Sequence, residues 1–225
     1  MSDSTPPSAA WASRRAAGIA IVLLAIFPVT VIALNLIQLG HYHALSDAVS
    51  LLALGTAGAA MNAAFFTLGT GIALVAWMLR RSVRNAAAGP ALLSLAAVAA
   101  FASGVFHTNA NGTPATPESN IHMAAGITVF LTMVAAMYVF AWRFRRDPRW
   151  RGFATPTLLW ALAGTVTFFL IPLAGDPRFG LAQRLHIATW LSWLLVTAIR
   201  TRRHAPDTHQ LPQHPSVPAQ DRAAT

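Results

Sequence analysis

The chain contains no cysteine and no lysine. The first absence excludes disulfides, thiolate metal sites and cysteine nucleophiles. The second, beside abundant alanine, is a mark of high-GC codon usage. Charge of either sign is scarce: 10% of residues are charged, 7 acidic against 16 basic, and every basic one is arginine. Soluble domains carry roughly 25% charged residues. The deficit, with 55% hydrophobic residues and a mean hydropathy of +0.52, points to a membrane protein. The net charge of +9 raises nucleic acid as a partner. No basic face interleaved with aromatics is present, so nucleic-acid binding is not expected. No internal repeat is evident.

What the chain does have is long apolar runs. Six stretches, at 18–38, 58–79, 89–106, 121–142, 157–173 and 181–199, approach the roughly 20 residues needed to cross a bilayer. Arg14 and Arg15 precede the first. Arg80, Arg81 and Arg84 follow the second, Arg143 to Arg151 follow the fourth, and Arg200, Arg202 and Arg203 follow the sixth. The alternate connections carry only Arg178 and Arg184. Positive-inside bias then predicts an all-α multi-pass protein of the cell membrane, with six spans, short loops and both termini cytoplasmic. Contact with anionic lipid would be a by-product of that charge. Residues 1–16 read as a cytoplasmic segment and 17–200 as the membrane domain. Ser13, Arg14 and Arg15 resemble a twin-arginine export signal, but the following run is too long, so it reads as a retained anchor. Residues 201–225, rich in Pro, His, Gln and Thr, read as a disordered tail. Its His204, His209 and His214 are too loosely spaced to hold a metal.

Outside the tail, every histidine falls on the predicted outer side: His41, His43, His107, His122 and His186. Asp47, Glu118, Asp176 and Arg184 share that side, and Asn35, Asn62 and Ser103 lie just inside the spans. The segment 104–126 carries His107, Asn109, Asn111, Glu118, Asn120 and His122. Within it Gly112 and Pro114 turn the chain, Thr116 caps a helix, and Pro117 takes its first position. His122 lies one turn further in, where it must face protein or water, because an uncompensated polar group in hydrocarbon costs several kcal/mol. The stripes His122, Gly126, Val129, Met133, Ala136 and Asn62, Phe66, Gly69, Ala73, Ala76 suit close packing. Both are expected to face the bundle interior. Residues 41–56 are too polar to span and predict a short helix or re-entrant turn over the mouth. Asp47 and Ser50 share one face there, and Asp47 is expected to pair with Arg184 directly or through one neighbour such as Ser50.

The run "DAVSLLALGTAGAAMNAAFFTLGTGIALVAWMLRR", the loop "GVFHTNANGTP" with "NIHMAAG", and the closing "GLAQRLHIATWLSWLLVTAIR" resemble a bacterial membrane family catalogued as domain of unknown function 998. The matched polar positions are Asp47, Ser50, Asn62, Thr108, His122 and Arg184. His107 stands where proline is usual, Asn109 where aspartate is usual, and Gln183 where glutamate is usual. The resemblance implies a polytopic membrane fold and no assigned activity.

Two functional readings emerge. In the first, an outward pocket of Asp47, Ser50, Asn62, Asn109, His122, Arg184 and His186 binds a lipid headgroup or small solute, or docks a partner. In the second, His107, His122 and His186 hold zinc through neutral imidazoles, with Asp47 as base or ligand and Ser50 orienting it, in a membrane-embedded hydrolase. Haem held between His122 and His186 is a third, minor idea.

Overall fold

The computed structural model describes residues 7–204, with side chains described for 14–203. The expected disordered tail lies outside the described residues except for its first four, which extend the last helix. Six helices make up the chain: α1 Pro7–Ile37, α2 Ala59–Ser82, α3 Ala88–Val105, α4 Pro117–Arg146, α5 Arg151–Leu173 and α6 Phe179–His204. Short 3-10 helices at Val49–Ala53 and Asp176–Arg178 complete it, and no strand occurs among the described residues. Each helix packs on the next, and α6 returns against α1. The result is a closed ring. Short connections make ring neighbours antiparallel. One end, the mouth, therefore gathers 38–58, 106–116 and 174–178, while the other gathers 83–87, 147–150 and most of the arginines.

Five helices are long and apolar enough to cross a membrane: α1 from Arg14, then α2, α3, α4 and α5. The sixth, α6, is 26 residues long but is excluded by polarity, with Gln183, Arg184 and His186 in its first third. Helix α1 begins at Pro7, so most of the segment expected before the first span is helical. The start of α4 is built as its sequence predicts. Thr116 accepts from Ser119 N, the Ser119 hydroxyl accepts from Thr116 N, and Pro117 opens the helix. Such a box satisfies backbone donors that a helix start leaves unpaired.

Close approach between helices relies on small residues. A Cβ on Gly71 would press into Leu24 of α1, and one on Gly89 into the Phe140 ring of α4. Without a hydrophobic drive inside lipid, such contact is what holds helices together. Toward the arginine end the ring is filled by aromatics. Phe144 stacks on Trp150 at 4.6 Å, with Phe140, Phe153 and Trp193 around them. Asp147, only 2% exposed, joins the two loops there. It accepts from the backbone N–H groups of Arg84 (3.2 Å) and Arg149 (3.1 Å) and from Arg149 Nε (3.5 Å).

The α4 stripe faces inward, with His122, Val129, Met133 and Ala136 all buried. The expected α2 stripe does so only in part, with Gly69 and Ala76 buried. Phe66 is 39% exposed, and Gly69 meets Ala97 and Phe101 of α3. That face is the α2–α3 seam, and the buried face of α2 is instead Met61, Ala64, Leu68, Ile72 and Val75.

Candidate functional site

The connection 38–58 crosses the mouth as a strap of turns and one 3-10 helix. Gln38 ties it to the end of α1, donating from Nε2 to Leu52 O (3.0 Å) and Thr56 O (2.9 Å). Helix α6 ties its middle. Leu181 N donates to Leu45 O (2.9 Å), Val49 N to Gln183 Oε1 (2.8 Å), and Arg184 Nη1 to Asp47 O (3.0 Å). Arg184 Nη2 donates to the Tyr42 hydroxyl, which lies against Ala48 O (3.0 Å) and Asp47 O (3.2 Å) as donor. The strap lies flat because residue 180 is glycine: a Cβ there would overlap the carbonyl oxygens of Ala44 and Asp47. Burial pushes the Tyr42 phenol up from its ordinary pKa, and the Arg184 guanidinium only partly offsets this. The phenol thus keeps its proton to donate.

Beneath the strap, on the ring axis, lies a cavity of about 60 Å³ walled by every helix except α5. Its hydrogen-bonding side chains include Ser50, Ser103, His122 and Gln183, and its floor and walls include Phe27, Phe65, Phe130 and Trp190. From Gln183 to Trp190 is seven residues, about 10 Å along the helix. His122 Nδ1 faces Phe106 O at 2.8 Å. A carbonyl can only accept, so Nδ1 carries the proton and Nε2 is the ring's acceptor. Gly126 also lines the cavity, and a Cβ on it would meet nothing within 4 Å. Trp190 is 1% exposed, and its indole N–H has no hydrogen-bond partner among the described residues.

Of the seven residues expected to form a pocket, only Ser50 and His122 line this cavity. The Asp47 carboxylate turns away from it, accepting from His43 N (2.8 Å) and Asn111 Nδ2 (3.2 Å). Arg184 and Asp47 do meet, but through the Asp47 carbonyl and not its carboxylate, so the contact is a hydrogen bond and not an ion pair. Asn62 reaches His107 Nε2 (3.1 Å), and Asn109 braces its own loop through Pro114 O (2.6 Å) and Thr116. His186 is fully buried behind Phe130, its ring 4.7 Å from that ring and its Nδ1 3.1 Å from Thr167 Oγ1. His107 is tied to Glu118 through both Nδ1 (2.7 Å) and its backbone N–H (2.8 Å).

The three histidines read as zinc ligands thus have three separate environments. Among the described residues no three His, Cys, Asp or Glu side chains gather as a metal group. The three-histidine zinc arrangement is therefore not gathered among the described residues. Ser103, Gln183, Phe65 and Trp190 are among the wall residues that the pocket reading omitted. Their signal was only their register on helices whose other faces were known.

No curated protein and no solved structure matches the chain. A family described as "Protein of unknown function (DUF998)" matches residues 19–200. That span runs from early in α1 to late in α6 and takes in the strap and every cavity wall residue, and so the chain belongs to the DUF998 family.

Proposed function

We propose that this is a six-span protein of the cell membrane, both termini cytoplasmic, whose outward mouth binds a small uncharged group in the cavity under the strap. The group would belong to a small solute or to part of a lipid headgroup. The carrying observation is the cavity itself, set on the ring axis at the end opposite the arginines. Ser50, Ser103, His122, Gln183 and the indole of Trp190 are accompanied by no aspartate, glutamate or arginine, which suits a polar group without net charge. At about 60 Å³ it has room for roughly two water molecules. A whole phospholipid headgroup would have to lift the strap. Arg184 is committed to the Asp47 carbonyl and the Tyr42 hydroxyl of the strap and to Gly180 O, and it does not line the cavity. The lack of any charge partner in the wall favours this reading over a hydrolase, whose expected ligands lie apart.

The cysteine-free background makes the test direct. Ser103→Cys, placed in the wall, should react with the small neutral reagent methyl methanethiosulfonate added outside and resist a bulky maleimide. Gly126→Leu, which grows into open space, should slow that reaction at least tenfold without lowering the melting temperature. Reaction from the cytoplasmic side alone, or only after unfolding, would sink the reading.

A further inference from the structure

The last turns of α2 and α4 carry the same pattern: Trp77 with Arg81, and Trp142 with Arg146, each pair four residues apart. In both, the arginine folds back over its own indole. The guanidinium carbon lies 4.7 Å from the Trp77 ring centre and 3.8 Å from that of Trp142, and Arg143 adds a second cation at 4.8 Å from Trp142. Trp142 is 46% exposed, Arg81 and Arg146 are exposed, and Arg143 is half-buried. Among the described residues Asp147 is the only carboxylate at this end, and its partners are Arg84 and Arg149. The stacked arginines have no ion-pair partner of their own among the described residues.

Stacking covers one face of a guanidinium and fixes its plane, yet it leaves the in-plane N–H donors free. Those donors match the oxygens of a phosphodiester in a fork geometry. Tryptophan at a span end sits at headgroup depth, which is where such a phosphodiester lies. We propose that Arg81, Arg143 and Arg146, held on Trp77 and Trp142, form a binding surface for anionic phospholipid headgroups in the leaflet at the arginine end. Two guanidinium groups share the Trp142 indole, so that locus carries most of the preference. Arg202 and Arg203 lie at the same end, exposed and, among the described residues, with no aromatic platform. They supply charge without a site.

The test is native mass spectrometry of the full chain in detergent, titrated with dioleoylphosphatidylglycerol or dioleoylphosphatidylcholine. Wild type should bind the anionic lipid at least tenfold more tightly. Arg143→Gln with Arg146→Gln should lose about fivefold per arginine, whereas Arg202→Gln with Arg203→Gln should keep the preference. Trp142→Leu retains every charge, and so the topology signal, yet it should weaken anionic-lipid binding severalfold. Inorganic phosphate should not compete. Equal loss in the two arginine pairs, an unaffected Trp142→Leu, or competition by inorganic phosphate would each overturn the assignment.

Discussion

Asp147 carries a negative charge at 2% exposure in a loop where the sequence shows arginine on both sides. Burial pushes its carboxyl upward, but the N–H groups of Arg84 and Arg149 and the Arg149 guanidinium together outweigh it. The net position is below the ordinary carboxylate range. A depressed folded-state pKa adds stability that is fully present above the unfolded value near 3.9 and is lost as pH falls through the folded value. Asp147→Asn should therefore cost about 1.5–3 kcal/mol at pH 7, and its deficit should shrink below about pH 4. Fluorescence-detected melting of both proteins across pH 3–7 checks this. Arg184 teaches a related lesson. Its place near the mouth was legible, but the group it binds was misread, because a charge in a sequence invites an opposite charge. Turns leave carbonyls without ladder partners, and a guanidinium satisfies several of them at once.

At the scale of the element, the strap decides whether the cavity is covered. Its ties to α6 depend on the flat seat at Gly180, where a methyl group would strike two backbone oxygens. Gly180→Ala should destabilise by about 1–3 kcal/mol, the usual cost of overpacking. It should also speed labelling of Ser103→Cys from outside several-fold. Comparing melting temperature with labelling rate in the double variant measures both, and an unchanged rate would show that the strap does not guard the cavity. A short structured cover was legible at 41–56 from its polarity. Its anchors were not, because Gln38 and Gln183 are neutral residues with no motif around them. Likewise His122 was legible as inward-facing, since it shares a stripe with Gly126 and Val129. His186 was misplaced for an angular reason. Each helical residue turns about 100°, so Gln183, Ile187 and Trp190 face the cavity while His186 falls to the Phe130 side. Hydropathy reports depth along a helix but not azimuth around it.

For the whole molecule, the apolar runs and the sharp signal at Thr116 and Pro117 made the helices legible, since length and polarity alone decide whether a segment suits lipid. The closure of α6 on α1 was not, because nothing local to either helix encodes a contact across most of the chain. The arginine-rich end should lie in the cytoplasm. Single cysteines at Ala87 and Gly152, both exposed, should label only from inside, and one at Asn111 only from outside, when intact cells meet a membrane-impermeant maleimide. Outside labelling at Ala87 or Gly152 would reverse the topology. Ring closure also sets a timetable. Helix α6 is the last of the six described helices in chain order, and it is more polar than the five that are long and apolar enough to cross a membrane. Its polar groups find their partners on elements made earlier: Gln183 on the strap, Arg184 on Tyr42 and Asp47, and His186 on Thr167. Without α6 the bundle would be an open horseshoe with an unlatched strap. Docking of α6 would then close the ring, latch the strap and complete the cavity wall in a single step.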